Sequence, residues 1–212
     1  VLFVRLGKLI DEKIHNLCPN LKIIVSPTTG LNHIDLDYFC KNKINVLSLK
    51  DVNPHAFREV RSTSELNIFL ALALLRNYAS IERDAATLSV LNRDMYKGRE
   101  ISNLTVGIIG YGRIGSHVAE YLKAFKSKIL VNDVIIPANL NTDPAVNFVD
   151  LQSLLSSSQL IFICASYNGY EILSNHDYSL IQKGALLVNT ARAELISRET
   201  IINLIQSNHI GG

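Results

Sequence analysis

The chain has 212 residues, 48% of them hydrophobic, and a formal net charge of +2, which is ample length and apolar content to bury one large core or two smaller ones. That near-neutral charge, without a basic cluster, speaks against nucleic acid or a membrane surface as a partner, and the longest apolar run, residues 68–75, falls far short of the ~20 residues needed to span a bilayer. Three widely spaced cysteines, Cys18, Cys40 and Cys164, fit reduced thiols in a cytoplasmic protein better than a disulfide framework, and no metal-ligand spacing is present.

In chain order, strand patterns at 2–6, 21–26 and 44–49 alternate with helical patterns near 11–17 and 35–43. Such alternation predicts a parallel sheet. Residues 62–78 begin with Ser/Thr capping residues, end at Arg76-Asn77 and are apolar almost all round from Leu66 to Leu75, which predicts a helix buried at a domain or subunit interface. A second helical stretch, 81–92, leads into an apolar strand. Beyond it come helical patterns near 113–125, 150–156, 175–181 and 198–207, interleaved with strands at 128–133, 160–164 and 185–189.

The strand that ends at Ile109 runs straight into Gly110-Tyr111-Gly112-Arg113-Ile114-Gly115, a Gly-x-Gly-x-x-Gly turn opening a helix. Here Gly110 permits the tight turn, Gly112 lets backbone approach a pyrophosphate, and Gly115 lets helix and strand pack closely. The helix start then aims unpaired N–H groups and a positive dipole end at the anion. A glycine-rich turn also serves as a plain strand-to-helix connection, so the following residues decide. The next strand closes on Asp133, near the ~20-residue spacing at which an acid meets a ribose 2′-hydroxyl. No lysine or arginine stands directly after it to neutralise a 2′-phosphate, which favours NAD over NADP.

Three more segments join this fingerprint. Ser26-Pro27-Thr28-Thr29-Gly30-Leu31-Asn32-His33 follows a strand and precedes a helix, Ser64-Glu65-Leu66 begins the long apolar helix, and Asn189-Thr190-Ala191-Arg192 closes a late strand. Open α/β sheets bind ligands at that carboxyl edge. In order and spacing these motifs resemble the D-isomer-specific 2-hydroxyacid dehydrogenases, over nearly the whole chain. The resemblance implies an α/β fold: a Rossmann-type doubly wound parallel sheet plus a partial flavodoxin-like substrate domain. It places the substrate domain at 1–75, a helical connection at 76–100 and the NAD domain at 101–212, with the family's active site between the two domains.

By resemblance, Arg192 is the catalytic arginine that grips the substrate's carboxylate and carbonyl oxygen, a task suited to its planar fork. Thr28, Thr29 and Gly30 match the loop that holds the carboxylate, with Thr29 also reaching the cofactor. Arg113 and Ile114 would lie under the pyrophosphate, beside Gly110, Gly112 and Gly115. Asp133 would take the ribose, while Cys164, Ala165, Ser166, Thr190 and Ala191 would line the adenosine and nicotinamide sides. His33 is read as a structural hydrogen-bonder and His117 as solvated. The family's histidine general acid and its glutamate partner match nothing here, so the chain is expected to be a piece truncated at both ends.

The resemblance implies an NAD-dependent oxidoreductase acting on a small 2-oxo or 2-hydroxy acid, expected as a homodimer. The alternative is a non-catalytic NAD-binding regulator, similar to corepressors of this fold. Two departures stand out. Ala193 occupies a position where the family carries glycine, which would be strained if the backbone there needs positive φ. Ser26 replaces a phosphate-binding arginine of phosphoglycerate-specific members, which counts against that substrate.

Overall fold

A computed structural model describes residues 1–28, 30–52, 54–87, 92–135 and 144–212. The chain divides into two compact units, Val1–Val60 and Arg61–Gly212.

In the first unit, β1 (Leu2–Phe3), β2 (Ile23–Ser26) and β3 (Asn45–Ser48) form a parallel sheet in the order β1-β2-β3. Helices α1 (Glu12–Leu17) and α2 (Leu36–Lys41) connect the strands, and α3 (Leu49–Val52) and α4 (Pro54–Arg58) follow. Both connecting helices start where an aspartate can serve their orphan N–H groups: Asp11 accepts from Lys13 N, and Asp35 from Tyr38 N. Ile24 and Phe39 are fully buried at the centre, with Val4, Ile10, Leu21, Ile34 and Ile44 around them.

The second unit opens with α5 (Ser62–Leu75) and α6 (Tyr78–Ala85). Next come β4 (Thr105–Ile109), α7 (Arg113–Ala124), β5 (Lys128–Asn132), β6 (Val146–Phe148), α8 (Leu151–Ser157), β7 (Leu160–Ile163), α9 (Asn175–Leu180), β8 (Leu186–Asn189) and α10 (Arg198–Gln206). All five strands are parallel, in the order β6-β5-β4-β7-β8. Successive residues point to opposite faces, and both faces are covered. Val106, Ile108, Ile129, Val131, Leu160 and Phe162 meet Val118 and Leu122 of α7 on one side, and Ile109, Leu130 and Ile161 meet Leu154, Leu155 and Tyr178 on the other. Strand order reverses at β4, whose neighbours are β5 and β7, so the chain ends of β4 and β7 form a switch point where a crevice opens.

The structure departs from the sequence expectations in several places. The first long helix ends at the expected Arg76-Asn77, where Asn77 takes φ 52°, a left-handed conformation, but a second helix, α6, starts directly at Tyr78 instead of near residue 81. Nor is the side that α5 buries uniformly apolar. Its fully or nearly buried residues are Ser64, Asn67, Ala71 and Leu75, one stripe at helical spacing, while Leu66 and Phe69 stay 47% and 56% exposed. That stripe packs on α7 and β8. The stretch 81–92 is helical only to Ala85; residues 88–91 lie outside the described residues, and Asn92 caps a 3-10 turn, Arg93–Tyr96. Strand β6 had no counterpart in the sequence reading.

Candidate functional site

The Gly-x-Gly-x-x-Gly turn sits at the switch point, and each glycine does a different job. Gly110 adopts φ +94°, and a Cβ there would meet Ala165 N at 2.5 Å, so the turn needs both a left-handed residue and no side chain. At Gly115 a Cβ would lie 2.0 Å from the Gly110 carbonyl oxygen, which is how closely α7 is seated against the turn. Gly112 differs: nothing lies within 4 Å of the space a Cβ would take. Being the N-cap of α7, Gly112 offers no side-chain cap, so the first-turn N–H groups meet no oxygen from it. Bare backbone, open space and an uncapped helix start together fit a pyrophosphate.

Asp133 lies just past β5 and is half-buried. Its Oδ2 accepts from Tyr111 N of the glycine turn at 2.5 Å, and its Oδ1 from Ile135 N at 2.9 Å. The carboxylate is thereby clamped beside the turn. Each oxygen has a second lone pair, and an ionised carboxylate only accepts; it can receive both hydroxyls of a ribose and would repel a phosphate. After it, Val134 and Ile135 are 98% and 73% exposed.

These groups border a cleft of about 440 Å³, whose walls include Gly110, Gly112, Asn132, Asp133, Cys164, Ala165, Ser166 and Asn168. Cys164 is buried at the end of β7, and burial pushes its thiol up to about 12, so it stays neutral and serves as a wall. Arg113 opens α7, where burial pulls its guanidinium below its ordinary value. Ile114 packs against the core, and its carbonyl accepts from Ser64 Oγ of α5 at 3.4 Å.

At the end of β8, Thr190, Ala191 and Arg192 are half-buried. Asn189 ties this loop down: its Nδ2 donates to Arg192 O at 2.9 Å and its Oδ1 accepts from Ala191 N at 3.0 Å. Arg192 Nη1 donates to Ala191 O at 3.0 Å. The residue expected to be strained is not, because Ala193 is absent from the positive-φ residues and begins a 3-10 turn, Ala193–Leu195.

Thr28 and Gly30 belong to the first unit, and Thr29 lies outside the described residues. Thr28 Oγ1 donates to Gly30 O at 2.9 Å and is 2.7 Å from Ser26 Oγ, which in turn faces His33 Nε2 at 3.4 Å. His33 is thus buried and bonded as expected. His117, expected in solvent, is half-buried on α7 instead. Sequence reasoning missed Asn67, fully buried on α5 with its Nδ2 2.7 Å from Thr190 Oγ1. Its signal was a polar residue on the same helical stripe as Ser64 and Ala71.

Among the described residues no group of three His, Cys, Asp or Glu could hold a metal ion, and no helix is long and apolar enough to cross a membrane.

Comparison with known proteins gives the same picture. Residues 68–212 match the family described as "D-isomer specific 2-hydroxyacid dehydrogenase, NAD binding domain". A Staphylococcus haemolyticus protein named "Putative 2-hydroxyacid dehydrogenase" is 30% identical over 207 residues, 96% of this chain and 63% of its own length. The chain therefore spans less than two thirds of that relative. Among solved structures, the D-lactate dehydrogenase of Aquifex aeolicus, complexed with NAD and lactic acid, superposes with a TM-score of 0.84 at 29% identity, over 99% of this chain and 62% of that one. The NAD-dependent formate dehydrogenase of Staphylococcus aureus, in complex with NAD, gives 0.80 at 28% identity, over 96% and 60%. With residues 68–212 matching the family and the Staphylococcus haemolyticus relative 30% identical over nearly the whole chain, the chain belongs to the D-isomer specific 2-hydroxyacid dehydrogenases.

Proposed function

We propose that this chain supplies the NAD-binding part, and a portion of the substrate-binding part, of an oxidoreductase that interconverts a small 2-oxo acid and its D-2-hydroxy acid. The observation that carries this reading is the clamping of Asp133 onto the glycine turn at the mouth of the cleft. A bound nicotinamide supplies the hydride; the chain's own residues bind, orient and polarise. Gly110, Gly112 and the start of α7, with Arg113, Ile114 and Gly115 beneath, hold the pyrophosphate. Asp133 holds the adenosine ribose, and Cys164, Ala165 and Ser166 wall the cleft. Thr190 and Ala191 lie on the nicotinamide side. Thr28, Thr29 and Gly30 receive the substrate carboxylate, and Arg192 grips its oxygens. The named relatives lend the non-catalytic alternative no support.

The chain binds NADH in clear preference to NADPH, because a carboxylate facing a 2′-phosphate in a partly desolvated cleft is repulsive. Parallel fluorescence titrations of the two cofactors check this; equal or tighter NADPH binding sinks the assignment of Asp133.

We also infer a homodimer in the cytoplasm. Support for the location is the chain's three free thiols. Support for the dimer is the outer side of α5 and α6, where Leu66, Phe69 and Tyr78 are each about half exposed and the Phe69 and Tyr78 rings stack edge to face. Covering such a patch is favourable at ~25 cal/mol per Å². Light scattering should give twice the chain mass at micromolar concentration, and a monodisperse monomer would remove the dimer.

A further inference from the structure

Asn67 is fully buried on α5, on one helical stripe with Ser64, Ala71 and Leu75. Its Nδ2 stands 3.0 Å from Thr63 O and 2.7 Å from Thr190 Oγ1. A backbone carbonyl can only accept, so the carboxamide atom shared between these two oxygens has to be the nitrogen. Both of its protons are then used, one on Thr63 O and one on Thr190 Oγ1. Thr190 is therefore the acceptor in this pair, and its hydroxyl proton is left to be donated elsewhere. Asn67 Oδ1, meanwhile, is buried without a partner among the described residues, an arrangement that costs stability and calls for a reason.

The strand order shows which end of a dinucleotide Thr190 would meet. A dinucleotide held by Asp133 at β5 and by the glycine turn at β4 has to place its other end across β7 and β8. Ile163 pairs with Asn189, so Cys164 and Thr190 leave the sheet as neighbours at that far end. The nicotinamide ring carries one hydrogen-bonding group, a carboxamide, whose oxygen accepts and whose nitrogen donates.

On the NAD reading above, we propose that Asn67 is a positioning residue: it orients the Thr190 hydroxyl so that its proton is donated to the carboxamide oxygen of the nicotinamide, fixing the rotation of that group. The bond reaches between residues 123 apart in sequence and thereby couples α5 to the cofactor site.

The test is a titration of the wild-type chain, Asn67→Leu, Thr190→Val and Thr190→Ser with two ligands: NADH, and ADP-ribose, which lacks the nicotinamide. Asn67→Leu and Thr190→Val should each bind NADH about tenfold more weakly, the size of one lost hydrogen bond, with ADP-ribose affinity unchanged. Thr190→Ser, which keeps the hydroxyl, should bind both as wild type does. Asn67→Leu should melt no lower than wild type, since it removes an unpartnered buried oxygen. Wild-type NADH affinity in Thr190→Val overturns the proposal, as does an equal loss of both ligands, which would make Asn67 a structural residue of the loop. Wild-type protein that binds neither ligand would bring down the NAD reading and this inference with it; wild-type binding with unaffected variants brings down the inference alone.

Discussion

In the full-length protein, replacing Arg192 with lysine is expected to lower turnover of a short 2-oxo acid by about 10²–10³ and to leave NADH affinity within about twofold of its starting value. Asn189 bonds both Ala191 N and Arg192 O, so the loop that carries Arg192 cannot sag when the side chain changes. What is lost is the fork. Arginine presents parallel N–H groups that match a carboxylate and the neighbouring carbonyl oxygen, whereas a lysine ammonium is a compact, strongly hydrated point charge. Charge develops on the carbonyl oxygen only as the hydride arrives, so the missing donor is felt in the transition state and not in cofactor binding. Steady-state assays with a panel of short 2-oxo acids and NADH, beside a direct NADH titration, separate the two quantities. Near-wild-type turnover of the lysine variant would take Arg192 out of the mechanism, and a parallel loss of NADH affinity would make it a cofactor residue.

Much of this architecture is legible in the sequence because its signals are local. Alternating apolar strands and amphipathic helices set the parallel sheets, and the glycine turn and Asp133, both readable from sequence, line the cleft. Asp11, Asp35, Asp150, Ser174 and Ser197 cap helices as their side chains dictate. The misreadings concern α5 and its surroundings, where composition hides direction. Seven of the ten residues from Leu66 to Leu75 are leucine, isoleucine or phenylalanine, so the helix looks uniformly apolar; yet the stripe it buries fully or nearly so begins with the small and polar Ser64 and Asn67 before Ala71 and Leu75, while Leu66 and Phe69 stay half exposed. Arg76-Asn77 marks the helix end as expected, through a left-handed conformation that asparagine tolerates. Strand β6 spans three residues, too few for a period-two pattern to declare itself. The Asn67 to Thr190 bond is a tertiary fact: neither residue alone, 123 positions apart, indicates the other.

The three glycines of the turn should respond to alanine in three different ways, and the pattern is a sharper test of the cradle than any one loss. Gly115→Ala places a methyl 2.0 Å from the Gly110 carbonyl oxygen. That oxygen is backbone and cannot swing aside, so helix α7 has to move off the sheet. Overpacking of this kind costs about 1–3 kcal/mol, or roughly 2–10 °C in Tm for a chain of this size. Gly110→Ala adds conformational strain at φ +94° to a contact of 2.5 Å with Ala165 N, and should melt at least as low. Gly112→Ala meets nothing within 4 Å, so the folded protein should melt within a degree or two of wild type. Its methyl nevertheless stands where the pyrophosphate would approach the backbone, and NADH affinity should fall about tenfold or more. Differential scanning fluorimetry and NADH titration on the three variants read the two quantities separately. The cradle requires binding loss without thermal loss at Gly112, and both losses at Gly110 and Gly115. If Gly112→Ala binds NADH as tightly as wild type, the open space before α7 does not hold the pyrophosphate, and the cleft takes some other ligand.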